Sequence, residues 1–495
     1  MSGGANRFVV VAAVVLFSGF IAINKLAITA GIWSLDSHGI MQVAGERIHE
    51  GIFDISRPPG HPLNEYWMLP GFALLFGAAH MAGPISPAIY GAYQLLGGCF
   101  CLVFFWLVLG QAKVTPGRRV LAAACLAFSP TFLLNSGDGE EFLWATGCFL
   151  AVLWIIARNG PGASLGSWLG VMALAAACSG YRLEIGIMTI GIATVSLAIL
   201  RQSLSRTIIL VALVLFIGII WAPVLMQHGA SAPYDVPLAP KTRVEVGVYK
   251  ILFTLLGVIP MLFAALFYLG WWKRFRLLPS LENDFLAYWA PRLVLLFFAL
   301  FFIYPTKISV VLPGLACLIL WGAMQARGWI WAGFVAGCIA VQLVNLDCFV
   351  DRVWVGPNVQ RSLWAQFYTK KPRFRQAALI AASQVASNGK YLVIANVYPW
   401  DFDWNLQRGR WTAPGPARDS AGGVIQSYDA GAGVVASRVL LDRSTLLKAY
   451  VASGYDIWID ESLYREVFQR YAMASSREAM GDIDGFPCHL LVLPK

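Results

Sequence analysis

The chain has 495 residues, 58% hydrophobic and only 13% charged, with a mean hydropathy of +0.64. An average soluble domain carries about twice that charged fraction, so no single globular core holds this apolar excess and a soluble cytoplasmic enzyme is excluded. The net charge of +10 comes from 37 Lys and Arg against 27 Asp and Glu. Most of the basic residues punctuate apolar runs instead of clustering on one face, which excludes a nucleic-acid partner and indicates membrane topology.

The first apolar run, residues 8–33, follows Arg7. It is too long for a signal-peptide core and lacks a convincing cleavage site, so a retained signal anchor is expected. Further runs of spanning length lie at about 88–110, 120–136, 141–157, 165–181, 185–200, 207–227, 248–272, 286–304, 308–325 and 329–348. At about 1.5 Å per residue most can cross roughly 30 Å of hydrocarbon. The 66–83 segment is apolar but short, and Pro70, Gly71 and His80 interrupt it. A crossing there would turn Lys113, Arg118, Arg119 and every later basic loop outward, so it is placed on the outer interface as a juxtamembrane helix.

This arrangement predicts about eleven spans, with the N-terminus inside, the C-terminus outside and the bilayer as solvent. Arg7, Lys113, Arg118, Arg119, Arg158, Arg201, Arg206, Lys273, Arg274, Arg276 and Arg327 then face the cytoplasm. Asp36, Glu46, Glu50, Asp54, Glu65, Asp138, Glu140, Glu141, Glu184, Asp235, Glu245 and Asp347 fall on the outer side. Ionisable groups at membrane depth are costly, so this carboxylate-rich face is where chemistry is expected. For any one of these acids, simple tolerance outside is the competing explanation. Seven of the nine cysteines sit within apolar segments without CxxC spacing and read as small core residues. Only Cys348 and Cys488 lie where an oxidising compartment acts, so at most one disulfide is expected and none is required.

Composition changes after Cys348: residues 349–495 hold 30 of the 64 Asp, Glu, Lys and Arg residues. A separate C-terminal soluble α/β domain is expected, outside the membrane domain 1–348 and its outer juxtamembrane loop 33–85. Helix-like patterns at 373–388, 444–453 and 462–471 alternate with strand-like ones at 391–396, 456–460 and 488–493. The stretch 398–428, rich in Trp, Arg, Gly and Pro, reads as a long loop. No GxGxxG after a strand, P-loop, HExxH or GxSxG occurs, and no internal repeat is evident.

The loop after the first run contains Trp33-Ser34-Leu35-Asp36-Ser37-His38, then Gly45-Glu46-Arg47-Ile48-His49-Glu50, then Ser56-Arg57-Pro58-Pro59-Gly60-His61-Pro62. An acid at the mouth of a span, an amphipathic stretch and a rigid Arg-Pro-Pro-Gly turn place one carboxylate and one guanidinium at the interface. This arrangement resembles the first external loop of the GT-C superfamily of integral-membrane glycosyltransferases, in particular the group containing protein O-mannosyltransferases and the lipid A aminoarabinose transferase. Three later features extend the resemblance. Asn135-Ser136-Gly137-Asp138-Gly139-Glu140-Glu141 stands where the family has a second external acid. Ser179-Gly180-Tyr181-Arg182-Leu183-Glu184 stands where members often have a basic residue. Tyr304-Pro305-Thr306-Lys307 resembles the late basic residue before a Leu-Pro helix start. The resemblance spans roughly residues 8–325. Asp36 is followed by Ser37 and not by a second acid, unlike the O-mannosyltransferases, which argues against that particular activity.

The resemblance implies a polytopic α-helical membrane protein, GT-C-like, that moves a sugar from a polyprenyl-phosphate donor to a glycan, lipid or protein acceptor outside the cytoplasm, in a bacterial inner membrane. The chemistry is consistent with this. A polyprenyl phosphate is already a good leaving group, so no general acid is needed, only a base for the acceptor hydroxyl and cations for the departing phosphate. Asp36 is the expected base. Arg57, Arg182 and Lys307 are the expected phosphate holders, with Asp138, Glu140 and Glu184 as supporting acids.

Alternatives stand beside these assignments. Asp36 also reads as a helix-end acid, Arg182 with Glu184 as a structural ion pair, and Lys307 as a snorkelling residue. Glu141 reads best as an acid favoured by the dipole of the following helix. No cofactor is required. A divalent metal is an open alternative at His38, His49 and Glu46, in the loop that also carries Glu50 and His61, although the spacing matches no strong ligand pattern. The rival classes are a transporter or flippase of lipid-linked sugars, and a glycan ligase or polymerase. A transporter would place its ionisable groups near the bilayer midplane, where this sequence has few.

Overall fold

The computed structural model describes residues 2–29, 35–49, 51, 61–76, 85, 87–138, 141–160, 163–200, 203–228, 240–272, 285–303 and 308–343. Beyond these it describes 349–350, 353–354, 391–395, 417–418, 424–425, 427–430, 433–437, 452, 454, 456–460, 480–483 and 486–491. The chain divides into two compact units, Met1–Gln366 and Phe367–Lys495. The change in composition at Cys348 precedes that division.

The first unit is helical. Its helices are α1 (Ser2–Thr29), α2 (Leu35–His49), α3 (Leu69–Leu75), α4 (Pro87–Gln111), α5 (Pro116–Ala127), α6 (Pro130–Asp138), α7 (Phe142–Asn159) and α8 (Leu165–Tyr181). There follow α9 (Leu183–Leu200), α10 (Ser203–His228), α11 (Pro240–Lys250), α12 (Val258–Trp272), α13 (Phe285–Ile303), α14 (Leu312–Gln325) and α15 (Gly328–Leu343). A π-helical turn, Leu63–Met68, runs straight into α3, and a second, Ile251–Leu255, follows α11.

Among the described residues, five helices are long and apolar enough to cross a membrane: 88–111, 142–159, 206–226, 285–303 and 308–325. Five shorter apolar helices accompany them, against the eleven spans expected. The protein is an integral membrane protein, and its outward surface has the character lipid requires. On α10, Val211 is 52% exposed, Val214 67% and Ile219 66%. Between helices in lipid, close packing replaces hydrophobic drive, so small residues mark the contacts. The run Ala173–Gly180 in α8 is of this type, and α8 packs against α7, α9 and α10.

Two expected continuous spans are broken. The 120–136 run splits into α5 and α6 at Phe128-Ser129. A residue before proline is driven out of the helical region, and Ser129 precedes Pro130. The freed Leu126 carbonyl accepts the Ser129 hydroxyl at 2.9 Å. The 248–272 run is interrupted between the second π turn and α12 at Gly257, whose φ of +88° suits glycine. Where a juxtamembrane helix was expected over 66–83, the first π turn and α3 are helical and the segment exposes Trp67, Met68, Leu74, Leu75 and Phe76, while 77–83 lie outside the described residues.

In the second unit, β3 (Tyr391–Ala395), β6 (Ser427–Ala430), β7 (Gly433–Ser437), β8 (Asp456–Asp460), β9 (Met480–Ile483) and β10 (Phe486–Leu491) form one mixed sheet, in the order β6-β7-β3-β8-β10-β9. Tyr391 stands opposite Gly433 and Asp456 in the parallel centre. Three of these strands match the expected segments. The expected helices lie outside the described residues, apart from Ala452. The stretch 398–428 is not wholly loop: β4 (Ala417–Arg418), β5 (Val424–Ile425) and the start of β6 fall within it. Two-residue strands are too short to leave a periodic signal. A further small pair, β1 (Phe349–Val350) and β2 (Val353–Trp354), lies in the first unit.

Candidate active site

Helix ends converge at one end of the helical unit. Near the C-terminal end of α1, the Asn24 side-chain oxygen accepts the Ser136 hydroxyl of α6 at 2.5 Å. In the same helix, Asn135 Nδ2 donates to Ser309 Oγ at 2.9 Å, in the 3₁₀ turn Ile308–Val311 that opens α14. Helix α6 ends at Asp138, and α7 starts at Phe142, directly after Glu141. The order of short helices thus gathers the C-terminal part of α1, the end of α6, the start of α7 and the start of α14.

Helix α2 packs against α3 and α4. Ile40, Met41 and Ala44 share its buried face, which packs with Leu69 and Ala73 of α3, Ile85, and Tyr90 and Tyr93 of α4. Their spacing is that of one helical face. Asp36 lies in the first turn of α2.

At the centre is a buried set of charged groups. Arg182 Nε lies 2.7 Å from Glu141 Oε1, and His61 Nε2 lies 3.2 Å from the same oxygen. The other ring nitrogen of His61, Nδ1, is 3.0 Å from the Tyr181 carbonyl oxygen. The His61 backbone N–H donates to Glu65 Oε2 at 3.0 Å, and the His61 carbonyl accepts the backbone N–H groups of Asn64 and Glu65. Glu65 thereby caps the π turn, at the end where a helix dipole favours an anion. Exposure is 4% for Arg182, 2% for His61, and 0% for Glu65 and Glu141. The Arg182 guanidinium also stacks over Phe142, 3.7 Å from the ring centroid.

Two glycines make this approach feasible. A Cβ on Gly180 would stand 2.8 Å from Leu63 Cβ, so glycine there lets the π turn seat on α8. A Cβ on Gly186 would stand 2.2 Å from Ser179 Cα, so glycine there lets α9 fold back on α8 around Arg182. Aromatic rings brace the cluster. Tyr93 stacks on Trp144 at 5.0 Å, and Trp144 stacks on Tyr181 at 5.8 Å.

The expected site residues distribute unevenly. Arg57, Glu140 and Lys307 lie outside the described residues, although Ser309, two residues after Lys307, is tied to α6. Asp36 and His38 are placed by backbone on α2, and Asp138 ends α6. Glu184 is half-buried in the first turn of α9, and the ion partner found for Arg182 is Glu141. Glu141 stands at the start of α7, where the helix dipole favours an acid, and it also pairs with Arg182. Glu46 is half-buried on α2 and His49 exposed at its end. Among the described residues, no three His, Cys, Asp or Glu side chains are grouped to hold a metal. The sequence alone did not point to the bond between the His61 backbone N–H and the Glu65 carboxylate. Their i, i+4 spacing was the available signal.

No family profile matches the chain, and no curated protein does. Among solved structures it is similar to the crystal structure of ArnT from Cupriavidus metallidurans bound to undecaprenyl phosphate. The TM-score is 0.53 and the identity 13%, over 97% of each chain. It is likewise similar to the apo state of that protein, with a TM-score of 0.51 and 12% identity, over 97% of this chain and 98% of that one. The chain shares the fold of these ArnT structures.

Proposed function

We propose that this GT-C protein is an inverting glycosyltransferase that moves a sugar from a polyprenyl-phosphate donor to an acceptor hydroxyl at the extracytoplasmic face. The observation that carries this is the ArnT-like fold along 97% of both chains. The gathering of helix ends around a buried charged cluster supports it. Asp36 takes the acceptor hydroxyl proton as the oxygen attacks the anomeric carbon. The bond to the donor phosphate breaks on the opposite face, and polyprenyl phosphate departs. One displacement inverts the anomeric centre. Arg57, Lys307 and Arg182 supply positive charge to the departing phosphate, and a group poised where charge develops is the largest contributor to such a step. Asp138, Glu140 and Glu184 support these cations. The substrate partners in this reading are a polyprenyl-linked sugar and a glycan, lipid or protein acceptor.

The test is transfer of radiolabelled sugar from a panel of polyprenyl-phosphate sugars by purified protein, with Asp36→Asn beside the wild type. Loss of transfer by about 10²- to 10⁴-fold in the variant, with donor binding intact, supports the base assignment. If neither protein binds or consumes any donor, the reading fails and transport by reconstituted vesicles becomes the competing explanation.

A further inference from the structure

The first residues of α7 hold the link between α8 and α9 by three contacts. Glu141 meets the Arg182 guanidinium at 2.7 Å, and the Phe142 ring lies 3.7 Å from its carbon. The Trp144 ring stacks on that of Tyr181, the residue before Arg182, with centroids 5.8 Å apart and planes 12° from parallel. Arg182 stands between two helices in extended backbone, with φ −148° and ψ +114°. The direction of its side chain therefore depends on how the residue before it is seated.

The ring contacts continue beyond Trp144. Trp144 also stacks on Tyr93 of α4 at 5.0 Å, Tyr93 meets Phe72 of α3 at 5.5 Å, and Phe72 meets Phe76 at 4.7 Å. The rings thus form a connected series from Phe76, 64% exposed at the end of α3, to Tyr181, 3% exposed beside the ion pair. Gly97 of α4 makes room for it, since a Cβ there would stand 2.7 Å from Trp144 Nε1. Rings about 4.5–7 Å apart attract through their quadrupoles and through dispersion, and both attractions depend on mutual orientation. A close-packed interior passes on a displacement instead of absorbing it. The transfer step uses none of these rings.

We propose that Trp144 is a positioning residue: stacked on both Tyr93 and Tyr181, it ties the Arg182 turn to the exposed α3 segment and keeps the guanidinium in register with Glu141. The inference rests on the transferase reading only for the ligand, since Arg182 is there a holder of the donor phosphate.

The experiment uses full-length protein in detergent and the variants Trp144→Leu and Trp144→Phe. Each is made alone and together with Glu141→Gln, Arg182→Ala and the pair of them, and the thermal midpoint is read. With Trp144 present, the pair is expected to lose less than the sum of its two single losses, because the ions interact. Trp144→Leu is expected to make the losses add, and Trp144→Phe, which restores a ring, to bring the non-additivity back. A ring that only fills space would lower all midpoints alike and leave the non-additivity unchanged. Well below the midpoint, farnesyl phosphate binding is expected to weaken about tenfold in Trp144→Leu and to fall no further when Arg182→Ala is added. If Trp144→Leu does not fold, Phe72→Leu, at the half-buried far end of the series, replaces it with the same direction of effect. Non-additivity that survives the loss of the ring, a Trp144→Phe protein no better than Trp144→Leu, or binding that Arg182→Ala weakens and Trp144→Leu does not, overturns the proposal. Loss of non-additivity in a protein whose wild type binds no farnesyl phosphate upholds the positioning role and overturns the transferase reading instead.

Discussion

Arg182 and Glu141 meet at 2.7 Å although they flank the α7–α8 hairpin at its two extremes. The hairpin folds back so that the residue before its first helix and the residue after its second share one buried site, closed by Phe142 beneath the guanidinium. Removing one member of such a pair leaves the other charge buried without its partner. Glu141→Gln and Arg182→Ala are each expected to destabilise the protein by about 3–5 kcal/mol. Replacing both by apolar residues of similar volume should cost less than either single change. Thermal unfolding of the two single variants and the double variant in detergent checks this, and a double loss equal to the sum of the singles contradicts it.

Arg57→Ala and Lys307→Ala are expected to raise the KM for a polyprenyl-phosphate sugar about tenfold or more each, since a charge-assisted bond contributes roughly 1.5–3 kcal/mol. Arg57→Lys should recover little, because an ammonium cannot grip two phosphate oxygens as the guanidinium fork does. Steady-state kinetics with varied donor decides the matter, and an unchanged donor KM removes these residues from the phosphate site.

Gly186 and Gly191 lie on the same helix but differ in their surroundings. A Cβ at Gly186 meets the Ser179 backbone at 2.2 Å, whereas nothing lies within 4 Å of one at Gly191. Gly186→Ala is expected to destabilise by about 1–3 kcal/mol through overpacking. Gly191→Ala is expected to be neutral or to stabilise by up to ~1 kcal/mol, since alanine is the better helix former. Parallel melting curves test the contrast, and equal effects would contradict the packing of α9 on α8.

Arg118 acts at the other end of the bundle. Its Nη1 and Nη2 donate to the carbonyls of Ala323 and Ala326 at 3.1 Å each, satisfying groups that the end of α14 leaves open. Arg118→Ala is expected to cost about 1–3 kcal/mol of stability and to leave donor binding unchanged. A comparison of melting temperature with farnesyl phosphate affinity distinguishes the two effects.

Much of the architecture was present in the order of residues. Apolar runs at 88–110, 141–157, 165–181 and 286–304 coincide with helices to within a few residues, because a backbone in lipid must satisfy its own hydrogen bonds and the helix does so locally. The strands 391–395 and 456–460 were legible for a similar reason, as short β-rich segments between polar stretches. The interruptions at Ser129 and Gly257 were carried by single residues, Pro130 and a glycine, whose effect an average over an apolar window hides.

What the sequence determined by itself was the membrane class, the succession of helices and the motifs that resemble the GT-C first loop, since each depends on local composition and spacing. Only the tertiary structure decided which charges meet. In sequence Arg182 has Glu184 two positions away, and in space it has Glu141, because Gly180 and Gly186 let the π turn and α9 close around that turn. His61 came against Glu141 for the same reason. Which ions pair in a low-dielectric site depends on distances between elements far apart in the chain, and no local pattern of residues encodes those distances.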